Sequence, residues 1–218
     1  MQLVEEKETL FLFCETWLSD KNLIEPVLGK YHNIIRYDRK SKANGRTSGG
    51  GLLALIPKSY HYKELKQCRF EGDMEALGFE LSCARKSSIN FVLTYRKPSG
   101  RCKTNLQILF KQLVDLENFI WIGDLNCPSI DWETNKISES DSESQLILSF
   151  CSNNGFEQVV SKPTRGKNIL DIAIVSNRNL LHEGKFSVGP CYFTSDHFSL
   201  CGKVNIASNQ VTDELICH

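Results

Sequence analysis

The chain has 218 residues, 41% of them hydrophobic, and 26 basic and 26 acidic side chains leave no formal net charge. This length fits one domain with a substantial core, and overall charge does not by itself indicate a nucleic-acid partner. Nine cysteines without a Cys-x-x-Cys pair exclude common zinc patterns and favour reduced thiols in a cytosolic or nuclear protein. The polar N-terminus predicts no signal peptide, and no apolar stretch is long enough to predict a membrane span.

Strand-like and helix-like segments alternate, which predicts one α/β domain over residues 1–206 and a frayed polar tail over 207–218. Apolar or alternating runs predict strands at 10–14, 52–56, 75–81, 89–95, 119–122, 169–175 and 198–206. The runs at 77–81 and 89–94 are predicted to form a hairpin through the polar loop 84–88. Helical spacing predicts a helix over 104–117 and a second one that starts at a Ser142 capping box and ends near Gly155.

Asp124 and Asn126 follow the apolar strand 119–122 directly, two residues apart. In extended backbone their side chains would lie on the same side, at a strand end where ligands gather in α/β sheets. Asp124 could hold a metal or orient a water, and Asn126 could donate to a phosphate oxygen. The alternative is an ordinary turn, because Gly, Asp and Asn are common turn residues.

Further polar residues sit at strand ends or inside a strand: Glu15, Asp171, Asp196 and His197. A charge inside the apolar run 169–175 is costly unless it is paired, and His197 is the best-placed partner by residue type. Asp171 and His197 would then form a dyad, while Glu15 and Asp196 would offer hard oxygen ligands suited to Mg²⁺. A salt bridge for Asp171, and a turn or helix cap for 195–197, are the competing interpretations.

A basic stretch at 36–46 contains Arg36, Arg39, Lys40, Lys42 and Arg46. It is predicted to be either a solvated loop or an arm that contacts phosphates. The three glycines at 49–51 precede a strand and lack the Gly-Lys-Ser/Thr of a phosphate-binding P-loop, so a structural role is predicted for them.

The order of these motifs resembles the endonuclease/exonuclease/phosphatase superfamily, and more narrowly the apurinic-type endonuclease domain of non-LTR retrotransposons. The resemblance runs from about residue 10 to 206 and rests on several short motifs: Glu15-Thr-Trp-Leu18, Gly49-Gly-Gly-Leu52, Tyr95-Arg96, Gly123-Asp-Leu-Asn126, Pro163-Thr-Arg165 before Leu170-Asp171, and Ser195-Asp-His197.

The resemblance implies a four-layer α/β sandwich, two β-sheets face to face with helices outside. It implies Mg²⁺-dependent cleavage of a DNA phosphodiester, with Mn²⁺ as a substitute metal. Glu15 would hold the metal, with Asp196 by the metal or the water, and Asp124 would orient the water. Asn126 and Tyr95 would contact the phosphate, and His197, supported by Asp171, would stabilise charge on the phosphoryl oxygens.

The basic loop at 162–167, with Arg165 and Lys167, joins the 36–46 stretch as a candidate DNA contact. Members of this family open with a strand that carries an Asn of the metal site, and that strand is expected to be missing here. A reverse transcriptase or element RNA is a further candidate partner, and a nuclear or cytoplasmic location without secretion is expected. Two other functions stay open: an inactive remnant that at most binds nucleic acid, and a phosphodiesterase or phosphatase acting on a small phosphoester.

Overall fold

The computed structural model describes residues 9–19, 21–39, 49–82, 88–98, 100–138, 141–192, 195–206 and 213–217. Its strands are β1 (Leu10–Cys14), β2 (His32–Tyr37), β3 (Leu52–Pro57), β4 (His61–Glu64), β5 (Met74–Ser82), β6 (Ser88–Arg96), β7 (Phe119–Asp124), β8 (Ile130–Asp131), β9 (Lys136–Ile137), β10 (Glu157–Gln158), β11 (Asp171–Val175), β12 (Ser187–Val188), β13 (Leu200–Val204) and β14 (Asp213–Cys217). Its α-helices are α1 (Glu25–Leu28), α2 (Lys103–Val114) and α3 (Ser142–Asn154).

Twelve of the described strands form two six-stranded sheets, and β8 and β9 form a separate small hairpin. Sheet A has the order β12-β13-β14-β1-β3-β2, and sheet B has the order β10-β11-β7-β6-β5-β4. Both sheets are mixed, since β1 is parallel to β14 and β6 is parallel to β7 while the other pairs are antiparallel.

Three apolar layers hold the sheets and helices together. The largest lies between the sheets, where side chains such as Leu12 and Ile56 from sheet A meet Phe79 and Phe91 from sheet B. A second layer packs α2 and α3 on the outer face of sheet B, around the buried Trp121. A third, smaller layer packs α1 and its flanking loops on the outer face of sheet A. The predicted α/β sandwich of two packed sheets is confirmed.

Both long helices follow the predicted apolar spacing. In α2 the fully buried positions are Leu106, Leu109 and Leu113. In α3 the cap differs from the prediction, because the side chain of Asp141, not Ser142, accepts the backbone N–H groups of residues 143 and 144. The end of α3 at Gly155 is as predicted, and this residue adopts the left-handed conformation (φ 68°) that glycine tolerates best.

The predicted hairpin is also confirmed, since β5 and β6 pair antiparallel over their full lengths.

Asp171 differs in position from the prediction: it is the first residue of β11 and does not lie in the interior of a strand. The hydroxyl of Thr164 accepts the backbone N–H groups of Leu170 and Asp171 at 3.0 Å each. The 164–168 turn therefore holds the backbone at the start of β11.

Residues 213–217 differ from the predicted polar tail, because they form β14 in the interior of sheet A. This strand runs parallel to β1 and antiparallel to β13. The apolar run Leu215-Ile216-Cys217 is long enough for a short strand, and pairing on both sides satisfies its backbone groups. Sheet A therefore has no gap between β13 and β1.

None of the helices in the described residues is long and apolar enough to cross a membrane. The buried thiols of Cys68, Cys102, Cys127 and Cys151 form no disulfide.

Candidate active site

A row of four polar residues crosses sheet B at one end. Glu75 on β5 is the pairing partner of Tyr95 on β6, Tyr95 is paired with Asp124 on β7, and Asp124 is paired with Asp171 on β11. Residues directly opposite each other on neighbouring strands point to the same face of the sheet. The strand register therefore brings together side chains that lie 96 residues apart in the sequence, from 75 to 171.

Glu15 reaches this row from sheet A, where it follows the last residue of β1. The hydroxyl of Tyr95 donates a hydrogen bond to Glu15 Oε1, which links the two sheets at their common end. Glu15 has φ 54°, in the left-handed region that is unusual for a residue with a side chain. Backbone strain of this kind is concentrated at functional sites.

The loop after β7 is shaped by Gly123 and Asn126. Gly123 has φ 143°, and a β-carbon there would lie 1.9 Å from the carbonyl oxygen of Thr94 on the neighbouring strand. Asp124 Oδ1 accepts the backbone N–H of Asn126 at 2.9 Å, and Oδ2 accepts its side-chain amide at 2.8 Å. The same amide donates to the carbonyl oxygen of Arg96 at 2.8 Å. The backbone and side-chain nitrogens of Asn126 therefore hold the Asp124 carboxylate in place.

Asp171 and His197 form the predicted pair. The Asp171 carboxylate lies 2.8 Å from His197 Nδ1. A carboxylate on Nδ1 fixes the ring tautomer and its orientation, which leaves Nε2 as the other functional nitrogen of the ring. The backbone N–H of His197 donates to Ser195 Oγ at 3.1 Å, which orders the turn that carries the ring.

Asp196 lies beside this pair but points mainly to solvent, with 69% of its side chain exposed. Arg165 binds it through two nitrogens, Nε at 2.9 Å and an Nη at 2.6 Å. The hydrogen bond from Arg165 lowers the pKa of Asp196. In this structure Asp196 is thus an ionised partner of Arg165, at 4.0 Å from His197 Nε2.

Burial and crowding perturb the acid–base groups of the row. Burial, followed by the charge of the nearby Asp171 carboxylate, raises the pKa of Asp124 to about 7. Burial would lower the pKa of His197, but the hydrogen bond and charge of Asp171 outweigh it, so the pKa is raised. Burial, followed by the hydrogen bond to Glu15, raises the pKa of Tyr95. Tyr95 is therefore a neutral hydroxyl donor at ordinary pH.

These groups face an open cavity of about 800 Å³ between the ends of the two sheets. It is lined by six of the seven predicted catalytic and metal-binding residues, Glu15, Asp124, Asn126, Asp171, Asp196 and His197. The seventh residue, Tyr95, donates a hydrogen bond from its hydroxyl to Glu15. A neighbouring cavity of about 860 Å³ is lined by Arg101, Arg165 and Lys167, and Asn126 and Arg165 line both cavities. The structure thus brings the predicted catalytic and metal-binding residues together at one place.

The basic residues predicted to contact DNA differ in their ion-pair partners and in their exposure. Arg36 lies in β2 and is bound by Asp38 and Glu25. Arg39 pairs with the fully buried carboxylate of Glu75. Acidic partners engage both guanidinium groups, as Asp196 engages Arg165, so the phosphate contacts of these arginines stay a prediction. Arg165 and Lys167 remain exposed beside the cavity, while Lys40, Lys42 and Arg46 lie outside the described residues.

The sequence predictions missed two residues that organise the site. Arg96 is buried, and one Nη donates to the carbonyl oxygens of Leu125 and Asn126 at 3.0 and 2.9 Å. It thereby holds the loop that carries Asn126. Glu75 is the second. Its carboxylate pairs with Arg39 and accepts the backbone N–H of Gly51 in the glycine run. For Glu75 the sequence signal was a charge within a mostly apolar strand, and Arg96 also belongs to the Tyr95-Arg96 motif.

The donor set suits a divalent cation. One ligand atom each from Asp124, Asp171 and His197 lie within 4.8 Å of one another, and Glu15 and Asp196 add carboxylates around the same cavity. Two buried carboxylates paired side by side repel each other, and a bound cation would relieve that repulsion. Oxygen-rich sites of this kind are the ones that Mg²⁺ and Mn²⁺ prefer.

Two packed sheets with a carboxylate–histidine cavity at their common end place the chain in the fold class of the endonuclease/exonuclease/phosphatase superfamily. A family model described as endonuclease-reverse transcriptase matches residues 89–201, just over half of the chain. The chain belongs to this family. A comparison with curated proteins gives no match.

Three solved structures show the same fold. The endonuclease domain of TRAS1, a telomere-specific non-LTR retrotransposon, superposes with a TM-score of 0.64 at 13% identity, over 91% of this chain and 98% of that one. The Xenopus laevis APE2 catalytic domain gives 0.57 at 14% identity, over 92% and 85%. The 3′ phosphatase NExo from Neisseria, bound to a product DNA hairpin, gives 0.56 at 12% identity, over 90% and 88%. At these identities the likeness concerns the fold.

Proposed function

We propose that this chain is a Mg²⁺-dependent DNA endonuclease domain of retrotransposon origin that nicks one strand and leaves a 3′-hydroxyl. The observation that carries the proposal is the in-register row of Tyr95, Asp124 and Asp171, completed by Glu15 and His197 around one cavity. Phosphoryl transfer needs fixed donors around an in-line attack. This row supplies them on rigid strands.

The residues divide into three tasks. Asp124, held by Asn126 through two hydrogen bonds, orients the attacking water. His197, held at Nδ1 by Asp171, presents Nε2 as a hydrogen-bond donor to the phosphoryl oxygens when the ring is protonated. Glu15 and Asp196 would hold the metal, and the Tyr95 hydroxyl positions Glu15. When bound, the cation would neutralise charge that develops on the phosphate.

Asn126 takes a different task from the one its sequence position indicated. Its amide nitrogen is already used by Asp124 and by the carbonyl oxygen of Arg96. A phosphate contact through this nitrogen would break one of these bonds. We therefore assign Asn126 to positioning Asp124.

The exposed basic side chains beside the cavity support DNA as the substrate. Arg101 and Lys167 line the neighbouring cavity, which shares Asn126 and Arg165 with the first. A strand whose cleaved phosphate sits at Asp124 could continue along this neighbouring cavity, which Asp141 and Glu143 also line. Its basic side chains would contact phosphates there without reading sequence. A small phosphoester would have no use for such an extension.

The test is nicking of supercoiled plasmid by the purified chain in Mg²⁺ and in EDTA. Asp124→Asn and His197→Ala should each remove most nicking without changing the thermal unfolding midpoint. Asp115→Asn, an exposed carboxylate at the end of α2, is the matched control and should nick like the unaltered chain. Undiminished nicking by either site variant would refute the task assigned to that residue.

The same assay separates the rival functions. A well-folded chain that does not nick in Mg²⁺ or Mn²⁺ would be an inactive remnant. Hydrolysis of a small phosphodiester that exceeds nicking and hardly responds to salt would favour a small-molecule phosphodiesterase. DNA binding, by contrast, should weaken steeply as salt rises, because phosphate contacts release counterions.

A further inference from the structure

Trp17 stands at the rim of the active-site cavity with 59% of its surface exposed. No other aromatic side chain in the described residues is more than half exposed. An exposed tryptophan lacks the large favourable free energy that burial of its side chain would give. Exposed apolar side chains of this kind mark binding sites when they lie beside a cleft. The catalytic tasks assigned above leave this indole without a function.

The indole is held in a fixed position. Trp17 has φ 55°, and its backbone N–H donates to the carbonyl oxygen of Gly50 at 2.9 Å. The indole nitrogen lies 3.3 Å from Glu15 Oε2 and donates to it. Gly49 lies against the ring, where an added β-carbon would come within 3.4 Å of Cζ2. The glycine run therefore supports a turn that presents the indole next to a proposed metal ligand.

We propose that Trp17 is a stacking surface for an unstacked nucleobase of the strand whose phosphate occupies the cavity. This inference rests on the proposed endonuclease function and adds a base-binding element to it. A flat aromatic ring one hydrogen bond away from Glu15, a proposed ligand of the metal that would hold the phosphate, matches a nucleotide, in which a flat base is joined to a charged phosphate. Stacking on an indole accepts any base, because every base has a π-face.

The test measures binding of a DNA duplex with one unpaired base, with Ca²⁺ in place of Mg²⁺ to prevent cleavage. Trp17→Leu should weaken binding roughly 5- to 150-fold, the range expected for the loss of one stacked base. Trp17→Phe keeps an aromatic ring and should lose much less. Tyr62→Leu removes a part-exposed aromatic from β4 outside both cavities and should bind like the unaltered chain.

Intrinsic fluorescence supplies a second readout. The chain has three tryptophans, of which Trp121 is fully buried and Trp132 lines neither cavity. DNA should quench the unaltered chain, and Trp17→Phe should remove the quenching while it keeps most of the affinity. Quenching that persists in Trp17→Phe would overturn the inference, as would wild-type affinity in Trp17→Leu or no DNA binding by the unaltered chain.

Trp17 also contacts Glu15, so a purely supporting role must be separated from stacking. Cleavage of a short chain of tetrahydrofuran abasic units, a small diester without a base or any other aromatic ring, provides the comparison. In Trp17→Leu, nicking should fall several-fold further than cleavage of this diester. An equal fall in both would mean that the indole acts only through Glu15 and would overturn the stacking role. Absence of nicking by the unaltered chain, with quenching intact, would refute the endonuclease and leave the base site standing.

Discussion

The carboxylate of Glu75 accepts the backbone N–H of Gly51 at 2.7 Å, although no part of the Glu75 side chain reaches solvent. Its other oxygen pairs with Arg39, whose guanidinium lies over the ring of Tyr95. The carbonyl oxygen of Gly51 in turn accepts the backbone N–H of Thr16. One buried carboxylate thus connects the row on sheet B to the turn that carries Glu15.

Glu75→Ala should destabilise the domain by about 3–5 kcal/mol, because it leaves Arg39 as a buried charge without its carboxylate. Urea unfolding followed by circular dichroism measures this loss. Glu80→Ala, a part-exposed residue on the same strand, should cost less than about 1 kcal/mol and serves as the control. Equal losses for the two variants would mean that Glu75 is not the connecting group.

Asp171 and His197 should behave as one unit in catalysis. Asp171→Asn and His197→Ala are each expected to slow single-turnover nicking by about 10²–10⁴-fold, since the ring needs both its charge and its orientation. The double variant should be hardly slower than the worse single variant, because residues that act together are not additive. If the two losses multiply in the double variant, the residues work independently and the dyad is the wrong description.

The sequence placed the candidate site residues at strand ends for a specific reason. Asp124, Asp171 and Glu15 each adjoin an apolar run, and strand register then carries them to one end of the sandwich. Local sequence patterns were also sufficient to predict α2 and the β5–β6 hairpin. In these places the local signal and the tertiary structure agree.

The errors arose where a partner lies far away in sequence. Arg39 looked like part of a solvated basic loop, but its partner Glu75 is 36 residues further on. No local pattern reports such a pairing. β14 was missed because a five-residue strand inside a polar segment has little periodicity, and only the open position between β13 and β1 gives it a place in the sheet.

Gly123→Ala should prevent folding or cost more than about 4 kcal/mol, because the new methyl group would overlap the Thr94 carbonyl oxygen at 1.9 Å. Gly155→Ala is the matched control. It also has positive φ, 68°, but nothing lies within 4 Å of its added β-carbon, so it should cost only about 1–2 kcal/mol. Thermal unfolding of both variants measures the difference. Similar midpoints would show that β7 can move away from β6 at this point.

His32 should make the domain less stable in mild acid. It is 1% exposed and packs edge-on against Phe11, and burial lowers its pKa below the usual 6.5 despite an opposing contribution from the backbone of Thr9. The unfolded chain therefore binds this proton more readily than the folded chain. The stability from neutral His32 is present above pH ~6.5 and is lost as pH falls towards the depressed folded-state pKa, by at most about 1.4 kcal/mol per pH unit.

His32→Phe removes the titrating group and keeps an aromatic ring against Phe11. Its free energy of unfolding should fall less between pH 7 and pH ~5 than that of the unaltered chain, when both are measured by urea unfolding. His61→Gln changes an exposed histidine on β4 and should keep the full pH dependence. The expected order follows from burial alone, because an exposed ring can be protonated without disturbing the fold. A pH dependence that is identical in His32→Phe and the unaltered chain would assign the acid sensitivity to other groups.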